Sequence, residues 1–151
     1  MDLPNSWLSA FGGTELEGKL HVSVLFATVD ETGRPHLAFL SAGEVLALRP
    51  QRIGLALWPN SQSSANFRRV GYATLYGAAD GSVWEADLRL RRDVARELAC
   101  FDADVSDLKR HAAPYAHVDE LISFTLHDPI ATLNRWCKQI AQLREFMLNP
   151  I

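Results

Sequence analysis

Between positions 60 and 66 the chain reads Asn-Ser-Gln-Ser-Ser-Ala-Asn, and Arg68 and Arg69 follow directly after Phe67. Hydroxyl and amide side chains at this density can take part in anion binding if the segment opens a helix. The first amides of a helix have no intrahelical partner, and its dipole favours negative charge at that end. The hydroxyls of Ser61, Ser63 and Ser64 and the amide of Asn66 would add neutral donors, and Arg68 and Arg69 would add charge. The ligand best suited to such a set is a phosphate. The same residues also suit an ordinary helix start in water, with Ser61 as cap.

Other groups with chemical potential are dispersed. Trp58 and Trp84 could stack on a flat ring, Trp136 could reach one from a partner subunit, and Tyr72 or Tyr76 could line a groove. Core packing is the default for each of these aromatics. The histidines, His21, His36, His111, His117 and His127, follow no ligand spacing such as HExxH, so no metal site is expected. His36 and His127 could sit near a cofactor, as an axial ligand would in a haem protein. Glu85 and Asp87 share a strand face with alternating arginines, which reads as a solvated surface. No GxSxG, P-loop or GxGxxG occurs. The sequence names no catalytic acid, base or nucleophile.

The elements that must position these residues are mostly strands. Residues 21–29 are apolar on both alternating sets, Val22, Val24 and Phe26 against Leu25, Ala27 and Val29, as in a strand buried on both faces. Asp30-Glu31-Thr32-Gly33 makes a hairpin into a strand at 35–42. Further strands are predicted at 44–49 and at 52–58, where Ile53, Leu55 and Leu57 share a face. A short helix follows at 61–70. A hairpin turning at Ala79-Asp80-Gly81 joins strands 71–78 and 81–92. In the second arm Trp84, Ala86, Leu88 and Leu90 alternate with Glu85, Asp87, Arg89 and Arg91, a strand with one wet face. Residues 93–101 are predicted helical with Asp93 as cap, and 121–127 are predicted as a last strand. The polar stretch 102–117, with Pro114, carries no clear signal.

Asp128-Pro129 opens the best helix of the chain, since Asp caps and Pro suits the first helical position. Ile130, Leu133, Cys137, Ile140 and Met147 follow helical spacing, joined by Trp136 and Leu143, and Asn149-Pro150 ends the run. A lead-in at 1–18 holds a short helix around Ser6-Trp7-Leu8, stopped by Gly12-Gly13. Six or seven antiparallel strands at short spacing predict a closed or nearly closed sheet.

The chain has 151 residues, 48% of them hydrophobic and 22% charged, with a formal net charge of −3. A single globular domain spanning 1–151 is expected. The weak negative charge argues against a nucleic-acid surface. The two cysteines, Cys100 and Cys137, form no CxxC and fit reduced thiols in a cytoplasmic protein. The first ten residues lack the features of a signal peptide, and no apolar run approaches a membrane span, so no membrane association is expected.

Residues 24–30 followed by Gly33-Arg34-Pro35-His36 resemble the first hairpin of the pyridoxamine 5'-phosphate oxidase-like FMN-binding split barrels. The pattern Trp58-x-x-Ser61-x-Ser63-x-x-Asn66-Phe67 is similar to their phosphate-binding turn and helix, and Gly71-Tyr72-Ala73-Thr74-Leu75 is similar to the next strand. The resemblance covers roughly 20–77 well and 121–129 loosely, through the order of elements rather than any one motif. It implies a mostly β fold with flanking helices, a six- to seven-stranded antiparallel split barrel with a C-terminal helix. It further implies a cytoplasmic homodimer with FMN at the subunit interface, acting as an oxidoreductase on an unknown small molecule. A non-catalytic flavin store or sensor, or the same fold holding a haem or deazaflavin, is the alternative. Carried over, Leu40, Ser41 and Ala42 would lie along the isoalloxazine ring, with Leu57 and Trp58 at the next strand end. Ser61, Ser63, Ser64 and Asn66 would face the phosphate. Many members have Lys three residues before the Asn, where this chain has Ser63, so either Arg68 or Arg69 supplies the charge, the affinity is lower, or the flavin is absent. The basic substrate-phosphate signature of true pyridoxamine phosphate oxidases is not evident, so that activity is not expected.

Overall fold

The structure, a computed structural model, describes residues 2–149; Met1 at the head of the lead-in and Pro150 after the last helix lie outside them. The elements run α1 (Asn5–Ala10), a 3-10 turn (Leu16–Gly18), β1 (Ser23–Val29), β2 (Pro35–Ser41), β3 (Val45–Arg49), β4 (Arg52–Leu57), α2 (Gln62–Val70), β5 (Tyr72–Ala79), β6 (Ser82–Ala95), β7 (Ala99–His111) and α3 (Pro129–Leu148). The strands form one antiparallel seven-stranded sheet in the order β2-β1-β5-β6-β7-β4-β3. Strands β2 and β3 stand at opposite ends of that order, yet only residues 42–44 join them. The sheet must therefore curl until its two edges nearly meet, without hydrogen bonding there. This is a split barrel with a C-terminal helix.

Local chemistry fixes the turns. Asp30 Oδ1 accepts from the backbone N–H groups of Thr32 and Arg34 and from the Thr32 hydroxyl, and Gly33 takes a φ of 83°. Asp80 and Gly81, both at positive φ, make the two-residue turn between β5 and β6. In β1, Val24, Phe26 and Thr28 are buried, but Leu25 and Ala27 are half-buried and Val29 is exposed, so the expected burial of both faces holds for only one.

Two predicted elements are different in the structure. The helix expected at 93–101 is the tip of a long hairpin, in which Asp93, Val94 and Ala95 pair with Phe101, Cys100 and Ala99. Ala, Arg, Glu and Leu favour a helix locally. Both faces of β7 are covered, however: Ala99, Phe101, Ala103 and Val105 enter the barrel core, while Cys100, with Leu98 just before the strand, joins a second cluster under α3. Packing on two sides outweighs the local preference. The strand expected at 121–127 forms no ladder. Ile122, Phe124 and Leu126 do alternate inward as half-buried residues, so the period was real, but the backbone has no strand neighbour.

Helix α1 plugs one end of the barrel with Trp7 and Phe11. A Cβ at Gly77 would lie 2.6 Å from the Trp7 ring, so the glycine is what admits it. Helix α3 covers the outside of β3, β4 and β7 of its own chain. It buries Trp136, Gln139, Ile140, Leu143, Phe146 and Met147, while Ile130 and Cys137, expected on the apolar face, are exposed. Two glycines set its approach: a Cβ at Gly43 would fall 1.9 Å from Trp136 Cγ, and one at Gly54 would fall 2.2 Å from the Met147 sulfur. The C-terminal end of α3 is held by Arg92, which donates to the Phe146 carbonyl at 2.7 Å and lies over the Phe146 ring. Among the described residues no helix is long and apolar enough to cross a membrane.

Candidate functional site

The floor of the site follows from the β2–β3 connection. Ser41 ends β2, and Glu44 folds back on it, its Oε1 accepting from the Ser41 amide at 3.1 Å and hydroxyl at 2.7 Å. Burial pushes the Glu44 carboxyl above its ordinary value, against the Ser41 donors and the charge of Arg135, which lower it. A carboxyl raised in the fold favours the folded state at low pH, and that contribution fades as pH rises from 4.5 to the folded value.

The second wall begins where β4 ends. Leu57 is buried, Trp58 is 64% exposed, and the chain turns through Pro59 and Asn60 into α2. Ser61 caps this helix, its Oγ accepting from the Ser64 amide at 3.1 Å. The Ser64 hydroxyl donates to the Trp58 carbonyl at 2.6 Å and so closes the turn. Ser63 is buried, and its hydroxyl makes no hydrogen bond to any described residue.

These walls and α3 enclose a cleft of about 660 Å³, lined by residues from β2, the β2–β3 turn, the end of β4, the start of α2, residues 124–128 and α3. That volume lies inside the roughly 300–1,000 Å³ of small-molecule sites. Helix α3 contributes one stripe, Asp128, Ala131, Thr132, Arg135, Trp136 and Gln139, at helical spacing. Asp128 is occupied as cap of α3, accepting from the Ala131 amide at 3.1 Å. Phe124 packs on Phe39 at the mouth, with ring centroids 5.5 Å apart.

Of the residues named from the sequence, Leu40, Ser41, Leu57, Trp58, Ser61 and Ser63 line this one cleft. The other four stand outside its lining. Ala42 is fully buried beneath α3. Ser64 is spent in the turn. Asn66 is fully buried and donates to Thr28 Oγ1 at 3.0 Å while accepting from Gln62, so it ties α2 to β1. Arg68 pairs with Asp93 at 3.2 Å and lies over the Phe101 ring. Arg69, named with it as a source of charge, is engaged with Glu31 and Asn66. The cation that does line the cleft is Arg135, exposed and without an ion pair among the described residues. Sequence reading missed Glu44, Phe124, Arg135 and Gln139. The available signal was the stripe of α3, whose polar members Arg135 and Gln139 lie beside Trp136 and seven and eleven residues after Asp128.

The residues fit a flavin phosphate in kind: a helix start with two serines, a cation that makes no ion pair among the described residues, and apolar side chains enough for a flat ring. Ser63 cannot neutralise charge as a lysine would, but Arg135 reaches the same cleft from α3.

No family model matches the sequence. The chain is 33% identical over 137 residues to the uncharacterized protein YclD of Bacillus subtilis (strain 168), covering 87% of this chain and 89% of that protein. Its fold is similar to that of an FMN-binding protein from Syntrophomonas wolfei subsp. wolfei, with a TM-score of 0.52 and 11% identity over 70% of this chain and 86% of that one. It is also similar to a candidate pyridoxamine 5'-phosphate oxidase from Lactobacillus delbrueckii, with a TM-score of 0.53 and 14% identity over 72% of this chain and 93% of that one. With a curled seven-stranded antiparallel sheet, edges that nearly meet without bonding and a helix laid across its outside, the chain has a split-barrel fold and belongs to the family of YclD.

Proposed function

We propose that the cleft binds FMN and that the protein is a flavin-dependent oxidoreductase acting on a small molecule. The observation that carries this reading is the meeting of Ser61, Ser63 and Arg135 with Leu40, Leu57, Trp58 and Trp136 around one cavity. The FMN-binding protein of the same fold supports a flavin-type ligand by analogy. In this reading the start of α2, Ser61, Ser63 and Arg135 hold the phosphate. Leu40, Ser41, Leu57 and Trp58 lie along the ring, and Trp136 closes the cleft from behind. The flavin supplies the redox chemistry, and the protein supplies binding and orientation. Glu44 is the one half-buried titratable group at the cleft floor and keeps its proton to higher pH than an ordinary carboxylic acid.

The test is the visible spectrum of the purified protein after addition of FMN and removal of excess. One equivalent of flavin retained per chain supports the reading. A colourless protein overturns it, and a Soret band would assign a haem instead. Oxidation of reduced nicotinamide by the loaded protein then separates an enzyme from a flavin store.

The same reading includes a cytoplasmic homodimer with the cofactor at the interface. Leu37 and Phe39 of β2 are 59% and 51% exposed, and they stand opposite half-buried Ala27 and Leu25 of β1. Phe39 also lines the cleft, so a partner covering this apolar face would abut the cofactor. Both cysteines are free thiols, as the cytoplasm would keep them. Leu37→Glu is expected to convert a dimer to a monomer and to weaken flavin retention with it, read by light scattering on a sizing column. A wild type that runs as a monomer and still holds flavin would exclude the interface.

A further inference from the structure

Gln139 is 8% exposed, lies in the stripe of α3 that lines the cleft, and has an Oε1 sealed from solvent without a donor. Its amide makes no hydrogen bond to any described residue. Among the described residues the only other side-chain polar atom in this condition is Ser6 Oγ, far from the cleft in sequence and on α1. Folded chains satisfy nearly all their buried polar groups, and the surroundings of Gln139 on α3, Trp136, Ile140 and Leu143, could as well have taken an apolar side chain. A buried amide with no partner among the described residues, beside a ligand-sized cleft, is a group kept for something that enters the cleft.

The chemistry of a primary amide says what that is. It offers one acceptor and one donor side by side. Its complement is a flat edge carrying an N–H next to a carbonyl. An oxidised isoalloxazine ring has one such edge, the imide at N3, and no other ring N–H. We propose that Gln139 reads the imide edge of the bound flavin, its Oε1 accepting from the ring N–H and its Nε2 donating to the neighbouring carbonyl. This rests on the flavin reading above. No hydrogen bond to a described residue holds the amide in its present pose, so a ligand is free to draw both atoms toward it. Gln139 then serves as a specificity residue, selecting rings with an intact imide over those in which that nitrogen is blocked.

Two flavins, FMN and 3-methyl-FMN, test this by titration of the wild type and of Gln139→Met, with the melting temperature of both ligand-free proteins measured alongside. The wild type is expected to bind the methylated flavin at least about tenfold more weakly. Gln139→Met is expected to bind FMN about tenfold more weakly and to treat the two flavins alike. Without ligand the variant is expected to melt a few degrees higher, because an unsatisfied amide has left the interior. Equal binding of both flavins by the wild type overturns the inference alone, as does a variant that keeps the wild-type ratio. A lower melting temperature for Gln139→Met also overturns it, since the chain itself would then be using the amide. Binding of neither flavin removes the flavin reading and this inference together.

Discussion

Asp102→Ala is expected to cost about 3–5 kcal/mol of folding stability, the range found when one partner of a buried ion pair is removed. The Asp102 side chain is fully buried, yet it stands between two guanidiniums. Arg52 approaches at 2.5 Å and Arg92 at 3.1 Å, each side chain about three-quarters buried. The two arginines cover the carboxylate with three hydrogen bonds, and Arg92 continues to the last carbonyls of α3. Removing the carboxylate leaves two cations facing each other beneath the helix that closes the cleft. Urea unfolding at neutral pH reads the loss directly. A cost under about 1 kcal/mol would place the pair among surface-type bridges, which contribute little.

The same residue sets an acid limit. Burial works against ionisation of Asp102, but the bonds and charges of Arg52 and Arg92 outweigh it and hold its carboxyl below the ordinary 3.8. A carboxyl lowered in the fold stabilises above its unfolded value, and that stabilisation is lost as pH falls through the lower, folded one. Wild-type stability should therefore drop steeply below about pH 4. Asp102→Asn, less stable at neutrality, should lose its part of that slope.

Arg135→Ala is expected to weaken FMN binding by about 10- to 100-fold, the loss of a charge-assisted hydrogen bond to phosphate. Riboflavin, which lacks the phosphate, should bind wild type and variant alike. Arg135 is exposed on α3 and makes no ion pair among the described residues, so the fold should not suffer. Placing the charge at the other wall, in Arg135→Ala with Ser63→Lys, should restore FMN affinity. Unchanged FMN binding in the single variant would put the phosphate elsewhere, and an equal loss for riboflavin would mean that Arg135 contacts the ring.

The strands with local signals were legible in the sequence. Gly33 and the Asp80-Gly81 pair announce their turns through required positive φ, Ser61 and Asp128 announce their helices through capping, and 52–57 announces itself by a run of apolar residues. The signal failed where two faces were buried by distant elements, as at 93–101, or where alternation existed without a neighbour to pair with, as at 121–127. About a third of the cleft lining was equally legible. Leu40, Ser41, Leu57, Trp58, Ser61 and Ser63 lie near strand ends and a helix start, positions that sequence order alone marks.

The order of elements and the anion-suited start of α2 are readable from the chain alone, because caps, turns and short-range periods are properties of neighbouring residues. Which serines face the cleft depends on the folded arrangement, since Ser64 closes a turn to Trp58 while Ser63, one residue earlier, makes no hydrogen bond to a described residue. The cation was decided there too. Arg68 and Arg69 lie closest in sequence but are drawn away by Asp93, Glu31 and Asn66, and Arg135 arrives from α3, 72 residues beyond Ser63, because Gly43 and Gly54 let that helix settle against the sheet. Charge partners in a fold are chosen by packing, and packing is not a local quantity.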